Sequence, residues 1–273
     1  MSSGGDRVAR GVSYRMVARL WFVVVDDLEL PPPGTLARSV HLFRAFLAEQ
    51  TDPDRFYSVL AADSTRETGR FVALAGADVL DVGGGPGYFA DAFLRAGARY
   101  LGIEPDAGEM TARGHAATNS LRASGLALPL ADAAVDLCYS SNVLEHVPDP
   151  ELMAHEMLRV TRPGGTVYLS WTPWLSPHGG HETGMWHYLG GHRAADRYAR
   201  RHGHRPKNDY GSSLFAYSVR RMLRWARAVE AAGEARVVAV EPRYHPAWAR
   251  WMIRVPGVRE VVAWNAVIVL ERL

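Results

Sequence analysis

The sequence is short of cysteine, of lysine and of long apolar runs. Cys138 is its one cysteine. A single thiol builds no internal disulfide framework and no Cys-based zinc cluster, and such usage suits a reducing compartment. Lys207 is its one lysine, and every other cation is an arginine. No Lys/Arg block is dense enough to mark a nucleic-acid surface. The apolar run at 20–25, "LWFVVV", is too short to cross a bilayer and runs into Asp26 and Asp27, so it reads as a buried helix or strand. No signal-peptide pattern is visible, and a cytoplasmic protein is expected. Internal repeats and low-complexity tracts are missing as well.

What is there is enough for a large core: 273 residues, 48% hydrophobic and 22% charged, the size of one domain with a sizeable insertion. The net charge of +2 is unevenly placed. Residues 1–150 carry 13 arginines against 19 acids, and residues 151–273 carry 18 cations against 10 acids. The second half could meet something anionic.

The pattern changes at Gly76. Residues 1–11 are polar, 12–25 read as helical, and Pro31, Pro32 and Pro33 break the chain. Leu36, Val40, Phe43, Phe46 and Leu47 predict a helix over 36–49. A further helical stretch carries Phe56, Val59, Leu60, Phe71, Val72 and Leu74. Residues 1–76 form a helical lead-in on this reading. Beyond it, strands at 78–83, 99–104, 120–124, 135–141 and 166–171 alternate with helices at 88–97, 106–117 and 150–161. Such alternation implies a doubly wound α/β fold, a parallel sheet with helices on both faces. An arginine-studded helix at 214–231 and strands at 236–242 and 266–272 close the chain. Residues 172–213 break the rhythm with glycine-rich turns and six of the eleven histidines. A segment of this length after a strand reads as a functional cap inserted into a domain spanning 77–273.

The first strand runs into "VLDVGGGPGYF" (79–89). Glycines there let the backbone approach a ligand, and the next helix offers free N–H groups. A phosphate-cradling loop needs Gly-Lys-Ser/Thr, and this loop has no lysine. A dinucleotide loop needs G-x-G-x-x-G/A, and the third small position falls on Tyr88, whose ring obstructs close approach. What remains is G-x-G-x-G at Gly83, Gly85 and Gly87, preceded by Asp81. Tyr88 and Phe89 read as packing residues.

That loop, with an acid at the end of the next strand, resembles class I S-adenosylmethionine (SAM)-dependent methyltransferases. "YLGIEPD" is similar to the family's second motif. "SGLALPLADAAVDLCYSSNVLEHVPDP" (124–150) and "EMLRVTRPGGTVYLSW" (156–171) resemble the later motifs of its type 11 branch. The likeness covers about residues 77–172 by motif and 214–272 by order of elements. It implies a Rossmann-like, mostly parallel seven-stranded sheet with an antiparallel last strand, and SAM as cofactor. It also implies that Glu104 holds the ribose hydroxyls, a role that fits an ionised carboxylate, which only accepts. Where the branch often has an Asp against the adenine amino group, this chain has Ser124, a weaker acceptor. Asn142 sits where the family faces its substrate and could bind either partner. His146, after Glu145, could be a base, a substrate contact or a structural hydrogen-bonder.

Methyl transfer from a sulfonium needs an in-line nucleophile and exclusion of water, and a hydroxyl nucleophile needs a base. The cap sets His178, His181, Glu182, His187 and His192 among Trp174, Trp186 and Tyr188. Aromatic faces with short polar groups suit a sugar or another ring. His178, Glu182, Trp186, His187 and Tyr188 are therefore the expected acceptor-binding residues, with His181 or His146 as the base. His181, Glu182 and His187 could instead hold a metal, as the resemblance to some sugar methyltransferases implies. Neighbouring positions do not share a face of regular structure, so no metal is expected. Arg193, Arg197, Arg200, Arg201, Arg205 and Lys207 form a basic run, followed by Arg220, Arg221, Arg224 and Arg227 beside Trp225. They could contact an anionic membrane or a phosphorylated carrier, or be a solvated face beside core tryptophans. The expected activity is methyl transfer to an oxygen of a small or glycan-like acceptor. C- or N-methylation, and SAM binding without turnover, are the alternatives.

Overall fold

The computed structural model describes residues 30–49, 51–115, 117 and 119–273. The expected helix at 12–25 and the apolar run at 20–25 lie outside the described residues. The lead-in supplies α1 (Leu36–Leu47) and α2 (Pro53–Thr68). The Thr35 hydroxyl caps α1 by accepting the Arg38 N–H, and the Asp52 carboxylate caps α2 by accepting the Arg55 N–H, with Pro53 in its first turn. α2 buries Asp63, Ser64 and Thr68 as well as Leu60 and Ala61. Those polar groups have partners. Arg38 donates to both oxygens of Asp63 at 2.8 and 2.7 Å and to the Arg243 carbonyl at 3.0 Å. Arg243, itself buried, donates to the hydroxyls of Ser64, Ser141, Ser170 and Tyr139. The lead-in is thus fastened through polar groups to the sheet.

The sheet comprises β1 (Asp78–Val82), β2 (Arg99–Ile103), β3 (Ser120–Leu121), β4 (Val135–Ser141), β5 (Thr161–Trp171), β6 (Ala235–Pro242) and β7 (Ala266–Arg272). Its order is β3-β2-β1-β4-β5-β7-β6, and β7 runs antiparallel to both neighbours. The strands alternate as a two-sided sheet demands. Leu80, Val82, Cys138, Val167 and Leu169 face one side. There they pack with Met153 and Met157 of α5 (Pro150–Val160) and Met222 and Trp225 of α7 (Val219–Ala231). Val79, Tyr100, Leu137, Tyr139 and Tyr168 face the other, against Ala90 and Phe93 of α3 (Tyr88–Arg95). Tyr139 and Tyr168 stack at 5.1 Å, with Phe93 edge-on to Tyr139 at 5.2 Å. Every crossover from β1 to β5 therefore leaves the carboxyl ends of the parallel strands on one edge, where open α/β sheets hold ligands.

The second helix and the third strand are shorter than expected. Of the helix at 106–117 only α4 (Ala107–Met110) forms. Asp106 caps its first amides, and Gly108 and Gly114, the latter at φ 78, follow closely. The strand at 120–124 is only Ser120–Leu121, because the chain turns at Ser124, whose Oγ accepts the Leu126 N–H at 3.1 Å. β5 is longer than expected: it starts at Thr161, which pairs with Val135 before a register shift. The helix expected at 214–231 starts at Val219, capped by Ser218, because the residues before it close the cap. There the Phe215 N–H reaches the Glu145 carbonyl at 2.8 Å, and the Trp174 N–H reaches that of Tyr217 at 2.9 Å. The cap holds a kinked 3-10 segment (His181–Leu189) and α6 (Gly191–His202). A further 3-10 segment (Ala247–Arg254) and α8 (Val258–Val261) precede β7. No helix among the described residues is long and apolar enough to cross a membrane.

Candidate functional site

The glycine loop leaves β1 at the sheet's ligand edge and enters α3. Gly83, Gly85 and Gly87 have φ of 83, 50 and 89°, a region where glycine alone carries no steric cost. Each serves a different contact. A Cβ on Gly83 would stand 2.3 Å from Val143 Cγ2, so glycine here lets the loop after β4 close on the loop after β1. A Cβ on Gly85 would meet nothing within 4 Å, so this face of the loop is open to a ligand. Gly87 is the N-cap of α3 without a side chain to block its first amides.

Glu104 follows β2 directly across from this loop. Its Oε1 accepts the Asp106 N–H at 3.0 Å and its Oε2 the Gly85 N–H at 3.3 Å. Burial pushes its pKa up, and those two donors oppose the shift. The carboxylate is thus preset beside the open face of Gly85, in reach of hydroxyls on a ligand. Asp81 is more deeply set, 2% exposed. It accepts the Tyr100 hydroxyl at 2.8 Å. Burial raises its pKa to about 7, against that hydrogen bond and with the help of the nearby Glu104 charge. Asp81 supports the loop from beneath. Ser124 accepts the Leu126 N–H with one lone pair and is exposed.

Asn142 follows β4 directly, at φ 58. Its Oδ1 accepts from the Asn265 side chain at 2.6 Å. Its amide nitrogen lies 3.5 Å from the Tyr244 hydroxyl. The next turn, Leu144–His146, buries Glu145 to 1% exposure. Glu145 Oε1 accepts the Thr172 N–H at 2.9 Å. His146 donates from Nδ1 to the Ser213 carbonyl at 2.7 Å, since a carbonyl can only accept. His181, at φ 46, lays its ring edge to face on that of His146, with centroids 5.0 Å apart. Burial, aided by the neighbouring His146, lowers its pKa to about 4, which leaves a neutral ring. The two residues expected as bases from separate motifs thus meet, and they do so around Glu145. The alternative grouping of His181 with Glu182 and His187 is not formed: Glu182 is exposed and accepts from the Asn208 side chain at 2.9 Å. His187 is buried, with Nδ1 against the Gly184 carbonyl at 2.7 Å and its ring edge-on to Trp174.

The other cap residues spread over two surfaces. His178 packs edge-on between Phe46 of α1, at 4.8 Å, and Trp264, at 5.4 Å. It joins the lead-in to the cap. Trp186 is exposed with the Arg197 guanidinium stacked 3.7 Å from its ring centre. The Tyr188 hydroxyl donates to the Leu175 carbonyl at 3.0 Å. In the basic run, Arg205 pairs with Asp196 and Asp209, and Lys207 with Glu109. Trp225 is in the core, and Trp248 and Trp251 are exposed. Two surface depressions, one beside His155 and Arg159 and one beside Leu36 and Arg44, include none of the site residues.

The sequence reading passed over Glu145 as a functional group and over Val143, Tyr100, Asn265 and Tyr244 altogether. Glu145 had a signal, an acid beside a histidine at a strand's carboxyl end. Asn265 and Tyr244 had none, since their contact with Asn142 spans more than a hundred residues of chain.

Residues 80–169 match the Methyltransferase domain family, type 11. An uncharacterized methyltransferase of Mycolicibacterium gilvum is 58% identical over 250 residues, covering 87% of this chain and 95% of that protein. One of Mycobacteroides abscessus is 56% identical over 251 residues, with 87% and 95% covered. A solved S-adenosylmethionine-dependent methyltransferase of Mesorhizobium loti shares the fold, with a TM-score of 0.53 at 18% identity, over 79% of this chain and 98% of that one.

Proposed function

The chain belongs to the SAM-dependent methyltransferases of the type 11 methyltransferase-domain family, and we propose that it transfers the methyl group to an oxygen of a small or glycan-like acceptor, free or carrier-linked. Gly83, Gly85, Gly87 and Asp81 form the cradle for SAM, Glu104 takes its ribose hydroxyls, and Ser124 and Asn142 flank it. The hydroxyl to be methylated is received and deprotonated at Glu145, His146 and His181. Its oxygen forms the new C–O bond as the C–S bond breaks. Bound SAM would supply the methyl group as a sulfonium whose sulfur keeps the C–S bonding pair, and the hydroxyl proton would leave through the cluster to water. The cap that carries His178, Glu182, Trp186, His187 and Tyr188 supplies the acceptor side of the site, although those five side chains do not line one surface of it. The exposed arginines of α6 suit a phosphate on a carrier.

The observation that carries this reading is the meeting of His146 and His181 beyond the carboxyl end of β4, with His146 three residues after Val143, which packs on Gly83. Proton-handling groups beside the cofactor loop suit a hydroxyl nucleophile, which needs deprotonation, better than a mere binder of SAM. We read residues 36–68 and the sheet as parts of one catalytic unit, with residues 172–213 as its cap. The test is incubation of the protein with methyl-labelled SAM and cell-extract metabolites, followed by mass spectrometry. An O-methylated labelled product is expected. N- or C-methylated product would replace the acceptor class, and absence of any labelled product would favour a SAM-binding protein without turnover.

A further inference from the structure

Three side chains from two loops converge, and two of them carry a buried polar atom without a partner among the described residues. Glu145 Oε1 is occupied by the Thr172 amide, whereas Oε2 is buried with no hydrogen-bond partner among the described residues. His181 Nε2 is likewise buried and unpartnered among them. A carboxylate oxygen held so deep without a partner is costly, on the order of several kcal/mol in general, unless a cation completes it. His146 gives its Nδ1–H to the Ser213 carbonyl, which leaves Nε2 as the nitrogen with a lone pair. A backbone carbonyl on the far nitrogen is what orients metal-bound imidazoles. One ligand atom from each of the three residues lies within 4.8 Å of those of the other two. Atoms bound to one ion at about 2.1 Å lie no more than about 4.2 Å apart, so closing on an ion takes shifts below about an ångström.

We propose that Glu145, His146 and His181 bind one divalent first-row transition-metal ion. Two imidazoles and one carboxylate select such an ion over magnesium or calcium, which take oxygen ligands. Three protein ligands leave coordination positions for a substrate oxygen. The ion site stands on the ligand geometry, and its chemical role rests on the O-methylation reading above. A hydroxyl bound to the ion sheds its proton more readily and is fixed for attack on the methyl carbon. With both histidines as ligands, coordination makes the acceptor hydroxyl acidic and its proton leaves to water.

The test uses the full chain, stripped with chelator and titrated with Co2+, read by calorimetry and by visible absorption. One Co2+ per chain with absorption bands of a low-coordinate site is expected. Glu145→Gln and His181→Ala are expected to weaken Co2+ binding at least about 100-fold while SAM binding, measured separately, stays within about threefold. No saturable one-to-one Co2+ binding by the wild-type protein overturns the site, whether or not the variants fold. Wild-type binding that both substitutions leave unchanged overturns it too. Co2+ binding together with an N- or C-methylated product would keep the site and remove the O-methylation reading. An O-methylated product without Co2+ binding would do the reverse.

Discussion

His146 and His181 meet edge to face with ring centroids 5.0 Å apart, one from the turn after β4 and one from the start of the cap's first 3-10 segment. Two backbone hydrogen bonds hold the cap in place for that meeting, from Phe215 to Glu145 and from Trp174 to Tyr217. The contact makes the cap part of the site rather than a cover over it, and the replacement of either ring is informative. His181→Ala and His146→Ala should each lower turnover by about 10²–10⁴-fold, the usual worth of a group that handles the acceptor's proton. SAM affinity should stay within about threefold. Parallel loss of both, measured by steady-state kinetics and calorimetry, would assign these rings a structural role.

Glu104→Ala removes the acceptor placed beside Gly85. Hydrogen bonds to a charged group are worth about 1.5–3 kcal/mol each, so SAM binding should weaken roughly 10–150-fold or more. Calorimetry with SAM on both proteins reads this directly. An unchanged dissociation constant would remove Glu104 from the cofactor site.

Gly83 and Gly85 should separate stability from binding. In Gly83→Ala the new Cβ collides with Val143, with a backbone already at φ 83. We expect a loss of about 2–3 kcal/mol in unfolding free energy, with lower SAM affinity following from it. In Gly85→Ala the Cβ meets no protein atom within 4 Å. Only the left-handed backbone is penalised, by about 1–2 kcal/mol. Its SAM affinity should fall by more than its stability does, because the methyl enters the ligand's space. Unimpaired SAM binding by Gly85→Ala would show that the ligand lies elsewhere.

Asp81 gives a pH dependence whose sign is set by its raised pKa, about 7 in the fold. A carboxyl in the unfolded chain titrates near about 3.9. The unfolded chain therefore releases this proton at lower pH than the native protein does. The stability that Asp81 confers is complete below the unfolded value and is lost as pH rises through about 7. Asp81→Asn keeps an acceptor for the Tyr100 hydroxyl and removes the titration. Without SAM, the wild type should lose stability relative to Asp81→Asn as pH rises from 4 to 7. Denaturant melts at several pH values measure this, and parallel curves would refute the raised pKa.

Asp63→Ala leaves the Arg38 guanidinium buried without its carboxylate. A broken buried pair costs about 3–5 kcal/mol, and replacing both partners with apolar residues of similar volume should recover much of that. Equilibrium unfolding would show it, and a midpoint unchanged in Asp63→Ala would mean that the lead-in is not fastened through this pair.

Legibility in the sequence followed the range of the interactions. β4 and β7 stand at the predicted residues, and β1, β2, α3 and α5 within a residue or two, because alternation, periodicity and caps are set by neighbours along the chain. The helix expected at 106–117 stops at Met110 because Asp106, Gly108 and Gly114 favour turns more than its apolar residues favour a helix. Ser124 stands where an adenine contact is expected, and in the fold its hydroxyl also accepts the Leu126 N–H, a local bond that no motif shows. Trp225 stood among arginines in the sequence, and the helical period carries it to the core face. Glu145 was visible only as the neighbour of His146, since full burial of an acid is a property of everything packed around it.

By itself the sequence determined the glycine loop, the acid that follows the second strand, and with them the cofactor and the alternation of strands and helices. These depend on backbone conformations and patterns that a few adjacent residues dictate. The tertiary structure alone decided that His181 joins Glu145 and His146 while Glu182 and His187 turn elsewhere. It also decided that Arg243 ties β4 and β5 to the lead-in. Such convergence depends on how the cap closes over the sheet. That closure is settled by packing and hydrogen bonds between segments far apart in the chain, which no local pattern records.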